Sequence, residues 1–231
     1  MRLTPLLIED APCYLSAADE RTLVLRGLQI SFVESFAQSD DVNEALDLTD
    51  NDIRVLTVNT PMKRLQTLLL ARNQISSIDA NIGALLPNLK SLSLLHNNLS
   101  GLPDLVPLRH CTKLDSLYLA HNKVTALPYY KEFVIWLLPS VTILDFDAIK
   151  PKHRQTSKEL LGTFAEPTPL ATQLLNNVKL EPLQQPVVVE SAQQVRLTDA
   201  EKEALKKDLL NASSLEEIER IELALQRGYI E

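Results

Sequence analysis

Histidine and cysteine are the residue types best able to catalyse a reaction or bind a metal, and this chain holds four histidines and two cysteines. His96 and His121 each stand immediately before an asparagine. A zinc site needs three or four ligands, so two histidines alone favour a surface pair. His110 and Cys111 could form a base and thiol pair. Neighbours in a loop rarely face each other, however, and no third group follows to orient them.

Two aspartates and a basic cluster complete the set of candidates. Asp145 and Asp147 lie two residues apart on one predicted strand and could bind a cation, although a solvated or partner-facing pair is commoner. The basic cluster consists of Lys150, Lys152, His153, Arg154 and Lys158. It could contact phosphate groups, or it could be a solvated helix face. No glycine-rich phosphate loop is present, so the sequence predicts no enzyme, no metal and no cofactor.

Composition and charge narrow the classes of function. The chain has 231 residues, 45% of them apolar, and a formal net charge of −7. The apolar share excludes a wholly disordered protein. So acidic a surface cannot bind a phosphate backbone over a wide area, and contact with nucleic acid must be local or be made through a partner. Two distant cysteines predict reduced thiols. No apolar run reaches the ~18 residues of a membrane span and no signal peptide is evident, so we expect a soluble cytosolic or nuclear protein.

A leucine repeat predicts the strands and turns that must position the candidate residues. Complete copies of L-x-x-L-x-L-x-x-N are anchored at Asn73, Asn97 and Asn122. Weaker copies end at Leu28 and Asn51, and a half copy over 141–149 places Phe146 at its last inward position. Successive anchors are 22 to 27 residues apart, within the range of leucine-rich repeats. The fold class expected is α/β, a leucine-rich repeat solenoid of about five and a half repeats.

Caps are expected at both ends of the solenoid, because a terminal repeat otherwise exposes its core. Residues 5–11 could form a short helix over the first repeat. Residues 129–139 are typical of an apolar helix that leads into the last strand, and residues 150–161 continue as a polar helix. Each anchor asparagine should satisfy backbone groups at a turn, where an unpaired buried amide costs roughly 1–3 kcal/mol.

Three regions follow from these patterns. Residues 1–164 form the leucine-rich repeat domain with its caps. Residues 165–197 carry four prolines and no repeat, which is typical of a linker. Residues 198–231 contain two capping boxes, T-x-x-E at 198–201 and S-x-x-E at 214–217, and predict a C-terminal helical hairpin.

The residues between the inward leucines should line the concave sheet face, which is usually the binding face of such a solenoid. We predict partner contact at Arg26, Asp47, Thr49, Leu69, Leu95 and Tyr118. Leu69, Leu95 and Tyr118 would form an apolar stripe, which suits the helix of a partner protein better than a polyanion. The alternative is that small residues here merely accommodate sheet curvature.

Several segments resemble one known family, the A-prime proteins of the U2 small nuclear ribonucleoprotein of the spliceosome. The stretches that carry the resemblance are LRGLQI at 25–30, ALDLTDNDIR at 45–54, YKEFVI at 130–135, KHRQ at 152–155 and NASSLEEIER at 211–220. The resemblance covers most of the chain apart from the predicted linker.

The resemblance implies a non-enzymatic nuclear subunit that acts in pre-mRNA splicing. Its concave face would hold an RNA-recognition-motif partner of the B-double-prime type, and together they would bind stem-loop four of the U2 RNA, alongside other spliceosomal proteins. Lys150, Lys152 and Arg154 are the residues we expect to contact the RNA backbone. Two alternatives stay open: an adaptor for another nuclear or cytoskeletal protein, and a hydrolase that uses His96 or His121.

Overall fold

The computed structural model describes residues 3–33, 41–164 and 166–176. The hairpin predicted over 198–231 and most of the linker predicted over 165–197 lie outside these residues. The described part of the chain contains no helix that is both long enough and apolar enough to span a membrane.

Parallel strands stack along the solenoid, one for each repeat. In the described part of the chain, the strands are β1 (Cys13–Leu15), β2 (Arg21–Val24), β3 (Ala45–Asp47), β4 (Val55–Leu56), β5 (Thr67–Leu69), β6 (Ser77–Ile78), β7 (Ser91–Ser93), β8 (Ser116–Tyr118), β9 (Ile143–Leu144) and β10 (Asp147–Ala148). The main sheet has the order β1-β2-β3-β5-β7-β8-β9-β10, and β4 pairs with β6 in a second, small sheet. Neighbours from β2 to β9 are parallel, whereas β1 and β10 pair antiparallel at the two ends.

The register of these strands places equivalent leucines side by side. One continuous row is formed by Leu23, Leu46, Leu68, Leu92, Leu117 and Leu144. Every side chain in that row is buried. Because strand side chains alternate between the two faces, a repeat of alternate leucines puts one whole face of the sheet into the core. The leucine-rich repeat solenoid predicted from the sequence is confirmed.

The anchor asparagines join each repeat to the one before it. Asn97 Oδ1 accepts a hydrogen bond from the Ile75 amide at 2.9 Å, and its Nδ2 donates to the carbonyl oxygens of Leu70 at 2.9 Å and Leu94 at 3.0 Å. The same pattern recurs at Asn51, Asn73 and Asn122. The ladder of buried amides therefore satisfies backbone groups of two adjacent repeats at once.

Asn43 interrupts the core in the second repeat. It stands where later repeats have Leu65, Leu89 and Leu114, and it is buried like them. Within the described residues its Oδ1 has no hydrogen-bond partner. A buried acceptor without a partner is destabilising, so this departure from the repeat pattern carries a cost in stability.

Helices cap the solenoid where the sequence predicted them. The described helices are α1 (Pro5–Glu9), α2 (Ile82–Leu85), α3 (Tyr130–Leu137), α4 (Pro151–Leu161) and α5 (Pro169–Leu175), with 3₁₀ segments at Leu102–His110 and Lys123–Ala126. Helix α1 covers the first repeat through Ile8, and α3 buries Phe133 and Val134 at the other end. Packing of α4 on α3 extends this second cap.

The cap continues beyond residue 164, into the region that the sequence assigned to the linker. Helix α5 buries Ala171 and Leu174 and packs on α4 and on the Leu102–His110 segment. The Phe164 ring lies 5.0 Å from the Trp136 ring, with the Arg109 guanidinium 3.2 Å from the Phe164 ring centroid. Pro169 is the first residue of this packed helix, so the first part of the predicted linker, up to residue 176, packs on the cap.

The last repeat also differs from the sequence expectation. Phe146 was placed in the inward column, but its side chain is 70% exposed. Strand β9 ends at Leu144, and both Asp145 and Phe146 have positive φ angles, 47° and 71°. The chain then reverses into β10. A tight turn replaces the third inward position, so Phe146 points to solvent.

We predict that Asn97→Ala destabilises the protein by about 1–3 kcal/mol, since it leaves the buried Ile75 amide without a partner. The carbonyl oxygens of Leu70 and Leu94 keep their second hydrogen bonds, from the side-chain amides of Asn73 and Asn122. The control is Asn98→Ala, because Asn98 is the next residue and is exposed; its change should stay within about 0.5 kcal/mol. Urea unfolding followed by circular dichroism measures both. Equal stability of the two variants would contradict a structural role for the ladder.

Candidate partner-binding surface

The concave wall is the outward face of the parallel strands. Residues in register form rows across the repeats, and one such row is Val24, Asp47, Leu69, Ser93 and Tyr118. These side chains alternate with the buried leucines. All six residues predicted for partner contact therefore belong to this wall or to its edge beyond the strand ends.

Arg26 and Asp47 act together at the first repeats. The Asp47 side chain is only 2% exposed, and its Oδ2 accepts a 2.6 Å hydrogen bond from Arg26 Nη2. Its Oδ1 accepts from the Thr49 amide at 3.0 Å. The sequence predicted Asp47 on the exposed wall, but the structure places its side chain beneath the surface. It positions the Arg26 guanidinium, which is the group that faces solvent.

The apolar stripe, defined as Leu69, Leu95 and Tyr118, lies on the later repeats. Each of these side chains is partly exposed. Phe146 extends the stripe, because its ring packs against Tyr118 with 4.8 Å between centroids. Sequence reasoning missed Phe146 as a surface residue, since the repeat pattern assigned it to the core. The signal that could have found it is the shortened last copy, which has no asparagine to continue the ladder.

The turn that exposes Phe146 is held by its neighbour. Asp145 Oδ1 accepts a 2.6 Å hydrogen bond from the Leu119 amide, and its Oδ2 accepts one of 2.6 Å from the Tyr130 hydroxyl. Burial and the Asp145 carboxylate raise the pKa of Tyr130, so the phenol stays protonated. Asp147 instead pairs with Lys131 at 3.0 Å. The two aspartates have separate structural partners and do not form a shared cation site.

His96 and His121 stack on one another at the edge of the wall. Their ring centroids are 4.0 Å apart and the ring planes differ by 6°. Both residues have left-handed φ angles, as do Asp50 and Arg72 at the same position of earlier repeats. The residue before each anchor is therefore part of a tight turn. Across the residues that the structure describes, no three histidine, cysteine or acidic side chains gather as a metal site.

The adjacent residues His110 and Cys111 do not face each other. His110 is exposed at the end of a 3₁₀ segment, whereas Cys111 is buried in the core. Burial raises the pKa of the Cys111 thiol to about 11. A buried protonated thiol is a poor nucleophile, so this pair does not act as a base and thiol.

The predicted RNA contacts divide into two kinds. Lys150 and Lys152 are exposed at the start of α4. Arg154 instead donates hydrogen bonds to the carbonyl oxygens of Pro139 at 2.9 Å and Val141 at 2.6 Å. Its guanidinium therefore fastens α4 to the last repeat.

Comparison with known proteins agrees with this geometry. A family model described as leucine-rich repeat matches residues 1–169. The U2 small nuclear ribonucleoprotein A' of Schizosaccharomyces pombe is 38% identical, over all of this chain and 99% of its own length. That of Aspergillus fumigatus is 39% identical, over all of this chain and 92% of its own. The chain belongs to the U2 small nuclear ribonucleoprotein A' family.

A solved structure of an A' protein shares the fold. In the crystal structure of the Drosophila melanogaster SNF/U2A' complex, the matched chain is 37% identical to this A' chain, with a TM-score of 0.70. The match covers 77% of this chain and 99% of the other. The resemblance drawn from the sequence is confirmed. The A' family is one of structural leucine-rich repeat proteins rather than enzymes.

The two cysteines give a test of how the core is packed. We predict that a thiol reagent at pH 8 modifies Cys13, which is exposed, and leaves Cys111 unmodified in the native protein. Cys111 is buried, and its raised pKa of about 11 leaves almost no thiolate at pH 8. Ellman titration should give one thiol per native chain and two in urea. Cys13→Ser is the control; rapid native labelling of that variant would contradict the burial of Cys111.

Proposed function

We propose that this chain is a non-catalytic subunit of the U2 small nuclear ribonucleoprotein that acts in pre-mRNA splicing in the nucleus. It binds an RNA-recognition-motif protein of the B-double-prime type on its concave wall and helps that partner bind stem-loop four of the U2 RNA. The observation that carries the proposal is the exposed apolar stripe, lengthened by Phe146, on a wall whose other side chains are mostly small or neutral.

The concave wall is suited to a protein segment. Leu69, Leu95, Tyr118 and Phe146 offer apolar and aromatic area, which is what the centres of protein interfaces are enriched in. Arg26, fixed by its ion pair with the buried Asp47, adds a directional polar contact at the other end. An amphipathic helix could lay its apolar side on the stripe and its polar side toward Arg26.

Known relatives support a protein partner of this kind. A U2A' chain 37% identical to this one was crystallised as a complex with SNF. With a formal net charge of −7, this chain has little capacity for long-range attraction of RNA. A partner protein that contacts the RNA bases would supply the RNA affinity that this acidic chain lacks. Lys150 and Lys152 could add contacts to the RNA backbone beside that partner.

A mobility-shift experiment tests the division of labour. We predict negligible binding of stem-loop four RNA by the chain alone and tight binding once the partner protein is added. The measurement compares each protein alone with the mixture at one salt concentration, since affinities for RNA depend on salt. Binding that is no tighter in the mixture than for either protein alone would refute the proposal. Failure of the chain to bind any such partner would favour an adaptor for a different protein.

Substitution of the stripe tests where the partner binds. We predict that Phe146→Ala combined with Leu95→Arg weakens partner binding by at least about 30-fold, since buried aromatic anchors typically carry 2 kcal/mol or more. The control is Val55→Arg, which places the same charge at an exposed apolar residue of β4. Calorimetric titration without RNA measures both variants. Equal affinities of the two would place the partner elsewhere on the molecule.

A further inference from the structure

A groove of about 290 Å³ lies along the edge of the sheet where the parallel strands begin. Four cationic side chains line it: Lys63, Arg64, Lys90 and Lys113. They come from three consecutive repeats, just before β5, β7 and β8. The groove concentrates positive charge on a chain whose formal net charge is −7. We call it the basic groove.

Hydrogen bonds tie the basic groove together across repeats. Asn88 Nδ2 donates to the Lys63 carbonyl oxygen at 2.6 Å, and Asn88 Oδ1 accepts from Lys113 Nζ at 2.5 Å. The Lys90 amide donates to the Gln66 carbonyl oxygen at 2.8 Å. The Asp115 amide donates to the Lys90 carbonyl oxygen at 2.8 Å, so Lys90 lies between Gln66 and Asp115. The cations of the three repeats gather at one edge of the sheet, where neighbouring strands are about 4.8 Å apart.

One carboxylate belongs to the lining of the basic groove, and two more flank it. Glu44 is the acidic residue of the lining, and its pairing with Arg64 is long, at 3.8 Å. Asp41 is engaged by the backbone amides of Lys63 and Arg64. Asp115 accepts a hydrogen bond from Thr142 Oγ1 at 2.6 Å. The groove lining thus holds four cations and one carboxylate, a formal excess of three positive charges. Counting the flanking Asp41 and Asp115, which keep their negative charges, leaves an excess of one.

We propose that the basic groove binds the phosphodiester backbone of RNA, independently of Lys150 and Lys152. Its described lining is entirely polar, without an apolar anchor for a peptide or an aromatic ring for a base. Cations with amide donors such as Gln66 and Asn88 suit phosphate oxygens, which position an RNA without reading its sequence. The source of that RNA, the U2 stem-loop held by the partner, rests on the proposed function.

The experiment removes two cations from the groove and two from elsewhere. The groove variant is Lys90→Gln with Lys113→Gln. The control is Arg54→Gln with Lys123→Gln, which makes the same charge change at exposed residues that follow their anchor asparagines. The full-length chain is mixed with the RNA-recognition-motif partner, and the affinity of the complex for stem-loop RNA is measured at several salt concentrations. The range is roughly 50 to 200 mM, over which affinity that depends on phosphate contacts falls steeply.

We expect the groove variant to bind RNA about tenfold more weakly at the lowest salt, with the slope of log affinity against log salt reduced by roughly 1.5 to 2. The control variant should retain the wild-type affinity and slope. Partner binding without RNA should be unchanged in both variants, because the groove lies off the concave wall. Groove and control variants that behave alike would overturn the proposal.

Two further arms separate this inference from the proposed function. The same variants are also titrated without partner at the lowest salt and at high protein concentration, where the weak RNA binding expected of the chain alone can still be compared between variants. Failure of the complex to form would then refute the proposed function, while the groove is judged by that comparison. Polyglutamate of matched charge is added as a competitor. If it displaces RNA as effectively per charge as unlabelled RNA does, the groove fits an acidic protein segment and the RNA assignment is wrong.

Discussion

The structure depends on how a turning backbone keeps its buried amide and carbonyl groups paired. Within every repeat the chain must turn after its strand so that the next strand can start parallel to it, and the turn leaves polar groups that water cannot reach. The anchor asparagines meet this need because one carboxamide both donates and accepts. Each one bonds to the repeat before it as well as to its own. The repeats are therefore joined by specific polar contacts, and the leucine rows fill the space that those contacts define.

A rigid ladder has a direct consequence for binding. Because register is constant from β2 to β9, the outward side chains fall into rows whose positions do not depend on a flexible loop. The concave wall and the basic groove both depend on this constant register. The concave wall presents an apolar stripe at one level of the repeat, and the basic groove presents cations at another. In the two proposals taken together, one scaffold holds a protein on its face and a polyanion on its edge without rearrangement.

The ends of the solenoid are where regularity gives way. Among the described residues the Asn43 Oδ1 of the second repeat has no hydrogen-bond partner, and the last repeat replaces the ladder with a hairpin turn held by Asp145 and Tyr130. That departure releases Phe146 from the core and adds it to the stripe. Helix α5 then closes the core beyond residue 164 by burying Ala171 and Leu174. The exposure of Phe146 and the packing of α5 arise from contacts that the repeat pattern does not encode.

The sequence by itself determined the solenoid, its repeat boundaries, the inward leucines and the role of the asparagines, because each of these depends on local spacing that recurs several times. It also placed the concave wall, since alternation along a strand follows from backbone geometry. Tertiary structure alone decided that Asp47 is buried under Arg26, that Arg154 fastens a helix, and that Phe146 is exposed. It also gathered Lys63, Lys90 and Lys113 into one groove. The physical reason is that these outcomes depend on which side chains meet across different repeats, and residues some 25 positions apart become neighbours only when the coil has closed.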